Sequence, residues 1–515
     1  MNADALHGLS LLTLLEEHAR AYPSRIAVAG DEGLRFTWPE FRDRVGRLAS
    51  ALAASGIGHG DRVLWLGQNS FRILEGILAC ARLGAIFCPA NWRQSAPELA
   101  FVLDDLAPRI VFWQSTEVGA VIEEARGIAN ASAATRWIPI ERDYEAFVAN
   151  APPRADASAD VADACVALYT AAFEGRPNAA LLSQRAFLAQ SPVVAAVTDF
   201  VDRTVFLNSG PLFHIGTMKF MMAAFYCGGT NVFLRRTDPE AICQLIHAER
   251  CTVAFLVTKT MQEMAAVNQD RRYDLSCLVS QPVSPEWDAM VKVVVPPGHF
   301  DRAAGYGQTE VCGFALWQYY GGRGLGFHGR PSPVAQVRLL DDDGNAVPPG
   351  EVGEFAIRGP IVMNGYWNRP ELNARRQAGG WHRCNDLGRQ ESDGSYTFIG
   401  PKTQMIKSGV ENVYPAEVEA CLKSHPAVAD CGVIGVPDTT WIQSVRAIVA
   451  LKPGARATEA ELIEHCRARI ASYKKPRSVV FVERIPRLPT WAVDYRALDA
   501  AHGGGGYPGG GTRSK

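Results

Sequence analysis

The chain has 515 residues, 47% hydrophobic and 21% charged, with 52 Lys and Arg against 54 Asp and Glu. Its length exceeds one ordinary domain, so two or more folding units are expected, and the balanced charge offers no basic field for nucleic acid. No apolar run reaches the ~18 residues of a membrane span, the start Met1-Asn2-Ala3-Asp4 is unlike a signal peptide, and twelve cysteines without a C-x-x-C pair read as buried thiols, so the expected localisation is cytoplasmic.

In chain order, Thr37-Trp38-Pro39-Glu40 is a capping box, and the apolar period from Phe41 to Leu52 predicts an amphipathic helix. Residues 61–66 read as a buried strand, Phe71 to Leu83 as a helix and Ile110 to Trp113 as a strand, a rhythm that predicts a parallel sheet covered by helices. This first unit is expected to end near 162, after a connector rich in Pro, Ala and Asp. A second α/β unit starts with strands at 166–170 and 179–183 and continues through strands near Val205, Val232 and Val253. Short strands and turns mark 326–400, and a compact final unit has strands at 428–436, 445–451 and 479–482 with a helix from Thr458 to about Ala471. The end of the chain is Gly-rich and reads as flexible.

Eight short motifs follow one another along this framework: Asn91-Trp92-Arg93, Pro211-Leu212-Phe213-His214, Tyr306-Gly307-Gln308-Thr309-Glu310, Gly365-Tyr366-Trp367-Asn368-Arg369-Pro370, Gly380-Trp381, Asp386-Leu387-Gly388, Asp393-Gly394 and Glu411-Asn412-Val413-Tyr414-Pro415. Each is weak alone, but their order resembles the acyl-CoA synthetase branch of the adenylate-forming superfamily, nearly to the end of the chain. The resemblance implies an α/β fold with a large N-terminal domain (1–400) of two α/β subdomains plus a β-rich subdomain. A small, mobile α+β C-terminal domain (401–499) and a flexible tail (500–515) complete it. Members of that superfamily make an acyl-adenylate from a carboxylic acid, ATP and Mg²⁺, then pass the acyl group to a thiol as the small domain rotates.

Against that pattern several positions depart. The phosphate loop of the family, Tyr-Thr-Ser-Gly-Thr-Thr-Gly-x-Pro-Lys-Gly, corresponds to 169–179, where Ala171, Phe173 and Glu174 replace hydroxyls, Ala172 a glycine and Asn178 the lysine. Such a loop offers hydroxyls, bare amides and a cation to phosphate oxygens, and a carboxylate about 4 Å from a phosphate charge would cost about 4 kcal/mol. Arg176 is the remaining nearby cation, at a variable position of the motif. At the hinge, Pro401 stands where the resemblance implies an arginine, Gln404 where it implies an aspartate, and Val410 where it implies a glycine. Ala492 stands at the family's catalytic lysine, with Trp491 before it. Lys474 and Lys475 match surface positions, and Val279 to Val283 replaces a Gly-Ala-rich adenine turn.

Other positions survive. The resemblance assigns Tyr306, Gly307, Thr309 and Asp386 to the nucleotide, Glu310 to Mg²⁺, and Phe213, His214 and Gly216 to the wall of an acyl pocket. The methionine-containing run 216–224 reads either as an adaptable pocket or as core. No replacement catalytic residue is evident. CoA or an AMP moiety is the expected cofactor, while the altered motifs speak against ATP and Mg²⁺. The expected partner is an acyl thioester or acyl-adenylate, or a carrier protein bearing one; no nucleic acid and no membrane span are expected. Three readings stay open: an enzyme acting on preformed acyl-adenylate or thioester, a non-catalytic binding or scaffold protein, and a weak ATP-dependent acyl-CoA ligase.

Overall fold

The computed structural model describes residues 8–130, 135–154, 159–170, 176–294, 305–317, 328–409, 411–488 and 493–505. Its first sheet has seven strands, in the order Gly365–Tyr366, Asn178–Ser183, Ala164–Thr170, Ile86–Pro89, Arg62–Leu66, Ile110–Trp113 and Arg136–Pro139. The five last-named run parallel, and the two at the other edge are antiparallel. A second sheet of five strands orders Val253–Ala254, Val205–Asn208, Thr230–Phe233, Ile26–Gly30 and Arg35–Thr37.

The two sheets correct the division expected near residue 162. Ile26–Gly30 leaves the first unit to pair with Thr230–Phe233, while Ala164–Thr170 crosses back to pair with Ile86–Pro89. Parallel pairing is non-local, and no local signal in either strand names its neighbour. The helix Phe71–Leu83 contacts strands of both sheets, and all of its residues but Leu83 are buried. Gly76 lets it lie against the first sheet, because a Cβ there would stand 2.2 Å from the Phe87 ring. The capping box at Thr37 and Glu40 is formed and starts the helix Trp38–Ala54.

The β-rich part is a six-stranded antiparallel sheet, Leu316–Trp317, His328–Pro331, Tyr396–Pro401, His382–Gln390, Val352–Arg358 and Gln336–Leu340. It begins about ten residues earlier than the change of texture in the sequence suggests. Beyond it a smaller sheet joins Glu411–Val413, Ile406–Ser408, Ile442–Leu451 and Val428–Asp438, with Ser478–Phe481 added in parallel. The helix Glu459–Arg467, capped by Thr458, ends sooner than expected, and the last helix, Tyr495–His502, runs past position 499. No helix among the described residues is long and apolar enough to cross a membrane. All twelve cysteines are free.

The small C-terminal part docks on the segment 91–98. The Arg93 guanidinium meets Glu411 at 2.6 Å, and Ser95 Oγ donates to the Arg469 carbonyl at 2.7 Å. Lys474, expected at the surface, is 4% exposed, its ammonium bonded to Glu98 at 2.7 Å and to Glu417. Burial works against that charge, but Tyr473, Glu417 and Glu98 outweigh it and hold the lysine above its ordinary pKa. Two carboxylates at the seam explain why this lysine is inside and Lys475 is not needed there.

Removing one partner of a buried pair costs about 3–5 kcal/mol. Lys474→Met is therefore expected to lower the melting temperature and to speed proteolysis in the 402–409 connection. An unchanged melting curve and cleavage rate would show that this cluster does not hold the two parts together.

Candidate functional site

A cavity of about 360 Å³ is lined from both parts of the chain. One wall is the tight pair of strands Gly307–Gln308 and Gly313–Phe314. Gly307 is required there, since a Cβ would stand 1.7 Å from the Gly313 carbonyl oxygen. The short turn of helix Thr309–Val311 follows and carries Thr309 and Glu310 to the cavity.

Asp386 lies on the strand His382–Gln390, opposite Pro401 in the register. Its Oδ2 accepts from the Tyr306 hydroxyl at 2.8 Å and from Gln308 Nε2 at 3.1 Å. Burial pushes the carboxyl up to about 7, against the pull of those donors. Tyr306 is itself stacked on Phe355 and Phe398, with ring centroids 4.6 and 5.4 Å away. Gln308, quoted within a motif but given no role by sequence reasoning, ties the group together, because its amide also donates to the Cys384 carbonyl at 3.1 Å.

Glu310 accepts from the Tyr366 hydroxyl at 2.8 Å, and burial raises its pKa. Tyr366 arrives through the pairing of Gly365 with Leu181, which gives the Gly365-Tyr366 motif its local purpose. The positions singled out in the sequence divide in two. Ala171, Ala172, Phe173 and Glu174 lie outside the described residues, as do Val410, Trp491 and Ala492. Asn178 is described: it is 4% exposed, and its Oδ1 accepts from Arg369 Nε at 3.0 Å. Arg369 also holds Asp105 at 2.6 Å, which in turn accepts from the Tyr169 hydroxyl at 2.8 Å. The side chain at the lysine position is thus committed to a network behind the cavity wall.

On the opposite wall His214 caps the helix Ile215–Tyr226. Its Nδ1 accepts from the Gly216 amide at 2.9 Å, so the neutral ring carries its proton on Nε2. Gly216 serves this cap, since a Cβ would come within 2.7 Å of Nδ1. The ring is open to the cavity, and the protein walls around it, partly opposed by Glu411, move its pKa downward, which favours the neutral form at pH 7. Phe213 lines the same wall beneath the Arg93 guanidinium, 5.0 Å from its ring centroid. The methionines of this helix, Met218, Met221 and Met222, are core residues at 0–1% exposure and do not line the cavity. Lys219, which sequence reasoning passed over, does line it. A single lysine inside an apolar run was the available signal.

The small part closes the cavity with the hairpin 406–413, presenting Lys407, Glu411 and Asn412. The residues flanking position 492 lie elsewhere. Arg487 pairs with Asp430, and Val493 packs where a Cβ on Gly432 would be, against the strand Val428–Asp438. Of the expected hinge, Pro401 ends a buried strand position and Gln404 is half-buried between the two sheets.

Asp386, Tyr306 and Gln308 form a hydrogen-bonded polar corner, and Glu310 lines the same cavity. No cluster of three or more metal-ligating side chains exists among the described residues. A Mg²⁺ ion held by one carboxylate depends on substrate phosphates for the rest of its shell.

A two-part α/β fold with a large N-terminal and a small C-terminal part around this cavity is that of an adenylate-forming protein. The AMP-binding enzyme model matches residues 15–367, and the AMP-binding enzyme C-terminal domain model matches 417–490. The chain belongs to the AMP-binding enzyme family. It is 35% identical over 475 residues to a feruloyl-CoA synthase from Amycolatopsis sp, covering 91% of this chain and 94% of that one. It is 33% identical to an indoleacetate–CoA ligase from Aromatoleum aromaticum, over 96% of this chain and 98% of the other. A solved double mutant of o-succinylbenzoate CoA synthetase from Bacillus subtilis superposes with a TM-score of 0.77 at 23% identity, covering 95% and 98% of the two chains, and shows the shared fold.

The Asp386 carboxyl gives a pH signature. Its folded pKa lies above the ordinary 3.8, so the stability it contributes is full below about pH 4 and is lost as pH rises through about 7. Ribose hydroxyls donate best to the ionised form. Binding of a 5′-sulfamoyl adenosine is expected to strengthen about tenfold from pH 6 to pH 8, and Asp386→Asn to flatten the profile. A profile that survives Asp386→Asn unchanged would assign the titration to another group.

Proposed function

We propose that this chain is an acyl-CoA-ligase-type protein that takes a carboxylic acid in activated form, as an acyl-adenylate or acyl thioester. It transfers, hydrolyses or cyclises that acyl group, while adenylation with its own ATP is slow or lost. The observation that carries this reading is Asn178, whose neutral side chain is bonded to Arg369, itself held by Asp105, and supplies no cation to phosphate. The sequence adds Ala171, Ala172, Phe173, Glu174 and Ala492 at positions where the family places phosphate donors and the catalytic lysine. Losing one such preorganised charge stabiliser typically costs about 10²–10³ in rate.

The retained parts fit the second half of the family's chemistry. Asp386, Tyr306 and Gln308 hold hydroxyls, Thr309 stands at the start of the helical turn beside them, and neutral His214 offers its Nε2 proton from the acyl wall. The acceptor is read as the thiol of CoA, with a carrier protein as the alternative. A second reading, a weak ATP-dependent acyl-CoA ligase, is favoured by Glu310 keeping its place on the cavity and by relatives that are CoA ligases.

Acid-dependent ATP–pyrophosphate exchange separates the readings. With a panel of aliphatic and aromatic acids it is expected to stay at background, while a synthetic acyl-AMP is consumed in the presence of CoA. Robust exchange with any acid would establish the ligase reading. Binding of the acyl-AMP without turnover would leave a non-catalytic role.

A repair series tests the cause. Ala492→Lys alone is expected to restore nothing. Ser-Gly-Thr-Thr at 171–174 with Asn178→Lys is expected to restore ATP binding and slow exchange, and the combination to exceed the product of the separate gains, since catalytic groups acting as a unit are not additive. Exchange by Ala492→Lys alone would show that the loop is competent as it stands.

A further inference from the structure

Lys219 is 6% exposed, yet among the described residues its ammonium has no carboxylate or hydrogen-bond acceptor. Its nearest company is the Phe314 ring, with Nζ 3.3 Å from the centroid, and the Phe220 ring at 5.0 Å. Beside it, the buried Gln190 donates its Nε2 to the Phe314 carbonyl at 3.2 Å, and its Oε1 has no partner. Both side chains lie against Gly313, where a Cβ would meet Lys219 Cδ at 3.1 Å and Gln190 Nε2 at 3.3 Å. Gly313 and Lys219 line one corner of the cavity, with the Gln190 amide packed against Gly313.

An ammonium out of water without a counter-charge is costly, and a ring face compensates about 2 kcal/mol or less. Burial drops this lysine to about 7, which marks how poorly the protein alone solvates its charge. The Cys312 thiol is the group that raises it slightly, and the His214 imidazole, on the same helix, is held neutral in part by Lys219. Lys219 stands across the strand Gly313–Phe314 from Gln308, on the helix that His214 caps.

We propose that Lys219 is a specificity-determining residue whose ammonium receives an acidic oxygen, a carboxylate or a phenol, at the far end of the acyl group. The substrate is then an acid with two polar ends and an apolar middle. This rests on reading the His214 wall as the acyl side of the cavity.

Binding tests it without requiring turnover. The probes are 5′-O-(N-acylsulfamoyl)adenosines of cinnamic acid, 4-hydroxycinnamic acid and 4-carboxycinnamic acid, with the benzoyl counterparts as a shorter set. The free acids are titrated in parallel, so that loss of the adenosine contacts and loss of a tail preference are read separately. The wild-type chain is expected to bind at least one of the hydroxy and carboxy probes about 10-fold to 100-fold more tightly than the unsubstituted one. Lys219→Met is expected to abolish or reverse that order while melting no lower than wild type, because it removes a buried, unpaired charge. Calorimetry of the wild-type chain at pH 8 in buffers of different ionisation enthalpy gives a second measure that needs no variant. A carboxylate tail is expected to draw about one proton onto Lys219, and a phenol to supply its own. Equal affinity for all three tails in both lengths, or a lower melting temperature for Lys219→Met with an unchanged ranking, would overturn the proposal. Acyl-AMP turnover with no tail preference would overturn it and leave the proposed function standing.

Discussion

A single buried ammonium, that of Lys474, sits between Glu98 of the large part and Glu417 of the small one. Three charges inside protein are tolerable only as a bonded set, so the seam around them has one good geometry. With Arg93 on Glu411 close by, that geometry decides which face of the small part meets the cavity. It is the face of the 406–413 hairpin. Arg487 and Val493, on either side of position 492, lie against Asp430 and Gly432. In this arrangement Lys407, Glu411 and Asn412 line the cavity from the small part.

Inside the cavity, polar groups gather at two places and in two different states. Around Asp386 every donor is matched: Tyr306 and Gln308 converge on one oxygen, and the ring of Tyr306 is braced by Phe355 and Phe398. A corner so fully bonded is rigid before any ligand arrives, which favours binding that depends on geometry. Around Lys219 the groups are unmatched, and a matched ligand has most to offer there. Glu310 and Asn178 lie between these extremes, each with its side chain engaged by one neighbouring residue, Tyr366 and Arg369.

Much of the architecture was legible because it rests on local rules. The helix Phe71–Leu83, the strand Ile110–Trp113 and the cap at Thr37 fall where periodicity and capping place them. The division of the large part at 162 was not legible, because strands 26–30 and 164–170 find partners far away in the chain. Of the site, the motif residues Tyr306, Thr309, Glu310, Asp386, Phe213, His214 and Gly216 do meet at one cavity. Gln308, Lys407 and Lys219 were missed for a common reason: what they do depends on which groups surround them, and no spacing rule records that.

By itself, then, the sequence determined the family, through ordered short motifs, because identity at a motif position needs no coordinates. Only the tertiary structure decided that Asn178 faces Arg369, that Lys474 is a seam residue instead of a surface one, and that Lys219 leaves the core side of its helix for the cavity. A side chain's charge is fixed by its formula, but its chemical use is fixed by desolvation and by the partners within bonding distance. Both of those come from parts of the chain hundreds of residues apart.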